Sequence, residues 1–251
     1  MEFFDLSVPI SNRAGEPHPP QIVYHSHEEG AREASEALRI PLNAFPQGRA
    51  WAVETVTLST HNGTHMDAPY HFGPLSEGRP ARTIDRIPLE WCYGDGVLLD
   101  FSHKEAGASI TAEEVDAALQ RIEYVLKPLD IVLIRTDADK KFFDPSYFFA
   151  HAGMSAGATR YLLERGVRLT GIDGWGWDIP LNLQAESYRA TGDSSVLWEA
   201  HYLGNQIEYL HIEKLANLDL LPRPFGFKVA AFPIPVENAS GGWVRPVAMF
   251  P

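Results

Sequence analysis

Four side chains that can bind a metal or carry a proton lie in one short segment, at His61, His65, Asp67 and His71. Imidazole nitrogens and a carboxylate oxygen together suit Zn²⁺, Mn²⁺ or Fe²⁺. A lone histidine is more often a hydrogen-bonded core or surface residue than a ligand. Because the chain has only 10 histidines, the clustering of three of them around one aspartate predicts a metal site.

The spacing of His61 and His65 would place both on one face of a helix. The Asn-Gly pair between them and Pro69 argue against a helix here. Residues 51–60 are rich in β-branched residues and contain neither Gly nor Pro, which predicts a strand that leads into the cluster. We therefore expect a tight glycine-bearing loop after this strand, which bends positions 61, 65 and 67 around one ion.

His71 differs from the other three because Pro69 and Tyr70 separate it from the cluster. A nearby cation and burial both lower the pKa of a histidine, which keeps the ring neutral and able to accept a proton near pH 7. This suits a general base that acts on an activated water. From spacing alone, a role as a fourth ligand is nearly as well supported.

The residues from His61 to His71 read His-Asn-Gly-Thr-His-Met-Asp-Ala-Pro-Tyr-His. This string resembles the His-x-Gly-Thr-His-x-Asp-x-Pro-x-His motif of the cyclase family of metal-dependent hydrolases, which includes bacterial kynurenine formamidases and isatin hydrolases. Residues 166–173 resemble the family strand that ends in Gly-Ile-Asp, and the segment that begins at His201 resembles its second ligand block. The resemblance therefore covers most of the chain.

The resemblance implies roles for individual residues. His61, His65 and Asp67 would bind the first metal, and His201 and Glu213 would complete a site for one or two ions, with Asp67 as the bridge between two. His71 would be the acid/base residue. The implied cofactor is a divalent metal, Mn²⁺ or Zn²⁺. Without the resemblance, His201 and Glu213 would be read as a histidine at a helix end and an exposed glutamate.

Two tryptophans, Trp175 and Trp177, lie in the glycine-rich segment that follows the strand ending at Asp173. Loops are normally polar, so these residues predict an aromatic wall for a flat substrate. Anchoring of the loop or a subunit contact would account for them equally well. The segment resembles isatin hydrolases more than typical formamidases.

The function implied by the resemblance is hydrolysis of a small amide, foremost the ring opening of an isatin-like cyclic amide. Three alternatives stay open: an arylformamidase that cleaves N-formylkynurenine, a lactone hydrolase, and a non-catalytic protein that binds a metal or ligand on the same fold. A serine or cysteine nucleophile is disfavoured. Cys92 lies between Trp91 and Tyr93, which suggests a packed position.

Composition excludes several other classes of protein. With 251 residues, 45% hydrophobic and 22% charged, the chain is expected to form one large domain or two intimately packed ones. The resemblance implies a single cyclase-like metal hydrolase domain over residues 1–251. The net charge of -12 disfavours nucleic acid and anionic membranes as partners. No apolar run approaches the roughly 18 residues of a membrane span. The N-terminus lacks a signal-peptide pattern, which predicts a cytoplasmic protein.

The elements predicted from patterning are mainly strands. The fold implied by the resemblance is mixed α/β, a swivelling β/β/α arrangement with a mixed, barrel-like sheet and outer helices, and family members commonly form homodimers or higher homo-oligomers. Helices are expected from Thr111, over 155–164 and over 194–203, with a weaker pattern over 28–39. Strands are expected over 3–9, 51–60, 96–101, 130–135, 167–172, 206–212, and 227–236 and 243–249 around a hairpin loop.

Overall fold

The computed structural model describes residues 1–251 and contains fifteen strands and six α-helices. The helices are α1 (His27–Leu38), α2 (Pro69–Phe72), α3 (Ala112–Arg121), α4 (Ala156–Glu164), α5 (Leu181–Thr191) and α6 (Glu199–Tyr202). The strands are β1 (Glu2–Asp5), β2 (Gln21–His25), β3 (Val53–Thr57), β4 (His65–Asp67), β5 (Leu75–Ser76), β6 (Arg79–Pro80), β7 (Tyr93–Asp100), β8 (Ser109–Ile110), β9 (Ile131–Arg135), β10 (Gly153–Met154), β11 (Leu169–Ile172), β12 (Leu210–Glu213), β13 (Phe225–Ala230), β14 (Gly241–Trp243) and β15 (Val247–Phe250).

Nine of these strands form one curled, mixed sheet in the order β1-β15-β13-β7-β9-β11-β12-β4-β14. Four adjacent strands, β7, β9, β11 and β12, form a central group and run parallel to one another. The strands on both sides of the group pair antiparallel. The predicted mixed, barrel-like sheet is therefore confirmed. None of the helices is both long and apolar enough to cross a lipid bilayer.

The side chains of strand β9 are buried on both faces of the central sheet. Ile131 and Leu133 belong to the core on one face, whereas Val132 and Ile134 belong to the core beneath α3 and α4 on the other. Successive side chains of a strand point to opposite faces, so a continuous apolar run can be buried completely. The chain leaves β9, passes through α4 and returns in the parallel neighbour β11, as the sequence predicts.

The helix starts carry clear sequence signals. α3 begins with a capping box in which the Thr111 and Glu114 side chains each accept from the other residue's backbone N–H. α1 has the same arrangement at Ser26 and Glu29. Both satisfy backbone donors that have no partner within a helix. The weakly patterned segment over 28–39 is thus a helix, whereas α5 has no side-chain cap and is absent from the prediction.

The segments 51–60 and 243–249, each predicted as one strand, differ from the prediction in their extent and in their pairing partners. Residues 51–60 contribute only β3, which pairs with β2 as an exposed two-stranded ribbon outside the large sheet. The segment 243–249 splits into two strands, and β14 pairs with β4 while β15 pairs with β13. The predicted pairing around Asn238 is confirmed in part, since 227–236 and 243–249 contribute β13 and β15, which pair antiparallel. The unexpected element is β14, which lies in the connection between them and bonds to β4.

We expect Cys92 to be inert towards thiol reagents in the folded protein. Its side chain is buried, and burial together with the nearby Glu90 carboxylate raises the pKa of the thiol to about 12. The reactive thiolate is therefore scarce at every pH below that value. A chromogenic disulfide reagent at pH 8 should label one thiol per chain only after urea is added. Rapid stoichiometric labelling of the native protein would contradict the buried position.

Candidate metal centre

The register between β4 and β12 places four potential ligands on one face of the sheet. His65 lies opposite Glu213, and Asp67 lies opposite His211. Side chains two residues apart on a strand share a face, and directly opposed pairs are close neighbours. The residues between them, Met66 on β4 and its partner on β12, point into the core on the other face. The sheet therefore brings together residues about 150 positions apart in the sequence.

Three further histidines approach Asp67 from outside these two strands. His61 precedes a turn in which Gly63 has φ +59°, a conformation that favours glycine. His71 lies on α2, whose first residue is Pro69, so proline here starts a helical turn instead of preventing one. His201 lies on α6. The distances are 2.8 Å from Asp67 Oδ1 to His61 Nδ1, 3.6 Å from Oδ2 to His71 Nε2 and 3.9 Å from Oδ2 to His201 Nε2.

Glu213 is the second carboxylate of the cluster. Its Oε1 lies 3.3 Å from Nε2 of His211 and 3.6 Å from Nε2 of His201, and its Oε2 lies 3.6 Å from Nε2 of His65. The backbone N–H of Trp177 donates to Oε1 over 3.0 Å, which holds the carboxylate in place. The structure thus brings together all six residues predicted to bind metal or move a proton: His61, His65, Asp67, His71, His201 and Glu213.

The potential ligand atoms form two groups that share Asp67. Within each group the atoms lie no more than 4.8 Å apart, and the groups are Asp67, His201, His211 and Glu213, and His61, Asp67 and His71. His65 Nε2 lies beside both carboxylates, 3.3 Å from Asp67 Oδ1. Asp67 is the carboxylate common to both groups.

Nε2 of His65 and Oδ1 of Asp67 are buried atoms without an aligned hydrogen bond, although Nδ1 of His61 lies 2.8 Å from Oδ1. A buried polar atom left without a partner costs about 1–3 kcal/mol, and native proteins retain few of them unless water or an ion satisfies them. Imidazole nitrogen and carboxylate oxygen are both ligands of divalent transition metals. The residues present therefore fit a divalent metal.

Burial governs the protonation of the histidines. It lowers the pKa of His71 to about 4, because the charged ring is disfavoured away from water and the Asp67 carboxylate offsets this only in part. Burial also opposes the charged form of His211, but hydrogen bonds to Asp67 and Glu213 raise its pKa to about 9. His71 is thus neutral at pH 7 and able to accept a proton. His211 links two carboxylates through a proton that a bound cation would displace.

A cavity of about 160 Å³ opens over the cluster, with His61, His71, His201 and Glu213 in its wall. Trp175 also lines this cavity, but Trp177 does not. Trp177 is fully buried beneath the site, where its ring stacks on His211 and its indole N–H donates to Thr159. The expected aromatic wall therefore contains Trp175 without Trp177. Its second tryptophan is Trp198, which stacks on His201 at 4.7 Å.

A family model described as "Putative cyclase" matches residues 4–179. The matched range contains the whole segment from His61 to His71 and covers well over half of the chain. The chain belongs to the cyclase family. His201 and Glu213 lie beyond the matched range, so their place beside the motif comes from the fold.

Relatives and solved structures agree with this membership. The kynurenine formamidase of Geobacillus thermodenitrificans is 31% identical over 195 residues, which cover 77% of this chain and 78% of that relative. The isatin hydrolase of Roseibium aggregatum is 27% identical over 215 residues, 81% of this chain and 77% of the relative. A shorter alignment with the Bacillus thuringiensis kynurenine formamidase covers 48% of this chain and 50% of that relative. Isatin hydrolase A from Ralstonia solanacearum superposes with a TM-score of 0.79 at 24% identity, over 100% of this chain and 92% of that chain.

The predicted family is confirmed, and both kinds of relative are hydrolases that the prediction named. The similarity to solved structures shows the same fold over the whole length of this cyclase-family chain. A buried cluster of histidine and carboxylate ligands agrees with a metal-dependent hydrolase.

His211 is the one member of the cluster that the sequence analysis did not assign. It lies on β12 two residues before Glu213, so both side chains point to the same face of the strand. Its Nε2 contacts Asp67 Oδ2 at 3.0 Å. The alternation of apolar and polar residues over 210–213 carried the signal, because a strand that presents Glu213 to the site must present His211 as well.

Asp178 is a second unassigned residue, and it positions His201 in this cyclase-family site. Its carboxylate accepts from Nδ1 of His201 and, at 2.8 Å, from the backbone N–H of Ala200. A neutral imidazole that donates through Nδ1 presents its lone pair at Nε2, the atom that faces Asp67 and Glu213. Carboxylates that orient a ligand histidine in this way tune metal affinity.

We expect Asp178→Asn to weaken metal affinity roughly 10- to 100-fold, the usual effect of removing such a partner. Asparagine can still accept from the Ala200 N–H, so the α6 backbone should stay in place while the negative charge behind His201 is lost. Titration calorimetry of Mn²⁺ or Zn²⁺ into metal-free protein measures the change. Asp193→Asn, at an exposed turn outside the cluster, is the matched control. Equal affinity for wild type and Asp178→Asn would show that His201 needs no such partner.

The chain also contains a Gly-x-Ser-x-Gly match at Gly153–Gly157, a pattern found at the nucleophile of many serine hydrolases. Ser155 occupies the N-cap position of α4 with φ -75° and ψ 161°, an unstrained extended conformation. Its Oγ accepts from the Ala158 N–H and donates to the Ile110 carbonyl. Ser155 therefore caps a helix, and the expectation against a serine nucleophile agrees with its contacts.

Proposed function

We propose that this protein hydrolyses a small amide with the help of a divalent metal, and that its reaction is the ring opening of an isatin-like cyclic amide. The observation that carries the proposal is the buried carboxylate Asp67, which lies among five histidines beneath a cavity lined by two tryptophans. The isatin hydrolases among the relatives and solved structures support the choice of a flat, cyclic substrate.

The metal would be held by His61, His65, Asp67, His201 and Glu213, and we add His211 to this set. We propose Mn²⁺ or Zn²⁺, since both accept mixed nitrogen and oxygen ligands. When bound, such an ion would lower the pKa of a water molecule to about 7 and polarise the scissile carbonyl. The two ligand groups that share Asp67 provide for one or two ions.

The residues of the chain provide the proton transfer and the substrate position. His71 is neutral and lines the cavity, so it can take a proton from the attacking water and deliver it to the leaving nitrogen. One C–O bond forms and one C–N bond breaks. In a cyclic amide the two products stay joined. Trp175 and Trp198 would pack against the faces of an aromatic ring.

The second candidate function is cleavage of N-formylkynurenine, favoured by the 31% identical kynurenine formamidase. The same proton transfer then releases formate. A non-catalytic binding protein would need no neutral histidine in the cavity wall, so His71 favours hydrolysis over that alternative. A lactone hydrolase would use the same histidine to protonate a leaving oxygen, and only comparison of substrates distinguishes it from an amide hydrolase.

Metal analysis combined with a turnover screen tests the proposal. Purified protein should contain a divalent metal and hydrolyse isatin, detected by loss of its absorbance, faster than N-formylkynurenine and simple lactones. Faster cleavage of N-formylkynurenine would select the second function. Bound metal without hydrolysis of any of these compounds would favour the binding protein and overturn the proposal.

We also propose that the protein is a homodimer or a higher homo-oligomer. The ribbon formed by β2 and β3 exposes Val23, Tyr24, Val53 and Val56, and an isolated two-stranded ribbon is marginally stable unless something packs on it. A second copy of the chain would cover this apolar surface. The cytoplasmic location stays a prediction.

A further inference from the structure

His151 is a buried histidine that the proposed reaction does not use. Its side chain lines the cavity over the metal cluster and only 1% of the residue is exposed. Its Nδ1 lies 3.1 Å from the carbonyl oxygen of Ala152. Its Nε2 has no hydrogen-bond partner. One nitrogen of the ring is thus committed to the backbone, and the other is unsatisfied.

The contact with Ala152 determines which nitrogen carries the proton. A carbonyl oxygen only accepts, so Nδ1 must be the donor, and a neutral ring then has its lone pair on Nε2. Burial lowers the pKa of His151, which favours the neutral ring. His151 therefore presents a hydrogen-bond acceptor, and it can be satisfied only by a group that carries N–H or O–H.

Two glycines make room for this ring beside the reactive centre. A side-chain carbon on Gly174 would lie 2.7 Å from Cγ of His151, which is closer than packed atoms allow. A side-chain carbon on Gly176 would lie 3.9 Å from both Cε1 of His151 and Oε1 of Glu213. Gly176 therefore lies between the His151 ring and Glu213, the carboxylate that contacts three histidines of the cluster.

Trp175, in the wall of the same cavity, has an unpaired hydrogen-bond donor where His151 has an unpaired acceptor. Its indole Nε1 is buried without a hydrogen-bond partner, and this group can only donate. Lys214 lies 5.2 Å from the Trp175 ring but already bonds Glu16 and the His61 carbonyl. The wall thus holds one unsatisfied acceptor and one unsatisfied donor. A planar amide, which carries N–H and C=O together, matches both.

We propose that Nε2 of His151 accepts the N–H of the substrate amide, while Nε1 of Trp175 donates to a carbonyl oxygen, so that the site selects secondary amides. The inference rests on the proposed function. N-alkylated amides and lactones lack the hydrogen, and each would leave the imidazole nitrogen unpaired in a buried site. His151 is on this view a specificity-determining residue.

The test compares isatin with N-methylisatin in the metal-loaded enzyme. Wild type should prefer isatin in kcat/KM by roughly 10- to 100-fold, the usual effect of one hydrogen bond in a buried site. His151→Leu should lower kcat/KM for isatin alone and bring the ratio close to unity. His151→Gln places an amide oxygen near the position of Nε2 and should retain most of the preference. Metal content should be the same in all three proteins.

Loss of activity towards both compounds alike in His151→Leu would assign the residue a structural role and overturn the inference, with the proposed function intact. An equal rate for both compounds in wild type would do the same. If wild type hydrolyses neither compound, the proposed function fails, and calorimetric binding of the same two compounds decides the inference separately. Tighter binding of isatin that disappears in His151→Leu would support it, and equal binding of both compounds would overturn it.

Discussion

Removal of the metal with EDTA is expected to reduce turnover to the background rate, and Mn²⁺ or Zn²⁺ should restore it. The physical reason is the chemistry of water, whose pKa falls from about 15.7 to about 7 when a suitable metal binds it. The chain offers no side chain in the cavity that could replace this effect, since Ser155 caps a helix and Cys92 is buried with a pKa of about 12. Stopped assays before and after dialysis, with metal content measured in parallel, give the comparison.

The substitution Asp67→Asn tests the same dependence on metal by removing a proposed ligand. Asp67 is fully buried and contacts five histidines, so an amide there removes the negative charge that both ligand groups share. We expect no bound metal after purification and no recovery of turnover when metal is added. Glu36→Gln, an exposed carboxylate on α1, should leave both properties unchanged. Full activity after complete metal removal, or an active Asp67→Asn enzyme, would contradict metal-dependent hydrolysis.

His71→Ala is expected to lower kcat by roughly 10²- to 10⁴-fold, the usual contribution of a general acid or base, and to retain the metal. His71 Nε2 lies 3.6 Å from the nearest Asp67 oxygen, and burial holds its pKa at about 4. These features agree with a neutral proton acceptor at the edge of the cavity. Single-turnover kinetics and metal analysis of the same preparation measure both quantities.

The alternative role of His71 as a ligand makes an opposite prediction. If His71 binds metal, the alanine variant should lose the ion, and added metal in excess should recover part of its turnover. His103→Ala removes an exposed histidine outside the cluster and should change neither metal content nor kcat. An unchanged kcat in His71→Ala would exclude both roles.

Local sequence patterns were sufficient for much of the fold. A continuous apolar run predicted β9, because a strand buried on both faces carries apolar side chains on both. The capping box at Thr111 predicted α3 because the bonds that start a helix are made between residues three apart. α5 was missed because it lacks such a cap. Patterns of this kind depend on neighbours in the sequence, which is why they can be interpreted without the fold.

The motif was correctly predicted to bring its three histidines and Asp67 together, but its local structure was not predicted correctly. His65 and Asp67 lie on a strand, β4, where a loop was expected. The three-residue strand is too short for its pattern to show, and it exists because β12 and β14 bond to its two edges. β14 was not predicted as a separate strand for the same reason, since its partner β4 lies in the motif.

The sequence was enough to indicate that the side chains from His61 to His71 act together, and the resemblance to the cyclase family added His201 and Glu213. The fold was needed to show that His211 joins them, that Trp175 and Trp198 line the cavity while Trp177 lies beneath the site, and that the cavity wall includes the buried His151 with its unpaired Nε2. The physical reason is that these placements depend on the register between strands about 150 residues apart and on the path of a glycine-rich loop. The alternation over 210–213 places His211 on the same face as Glu213, but the spacing of residues does not show which strand lies opposite or where the loop runs.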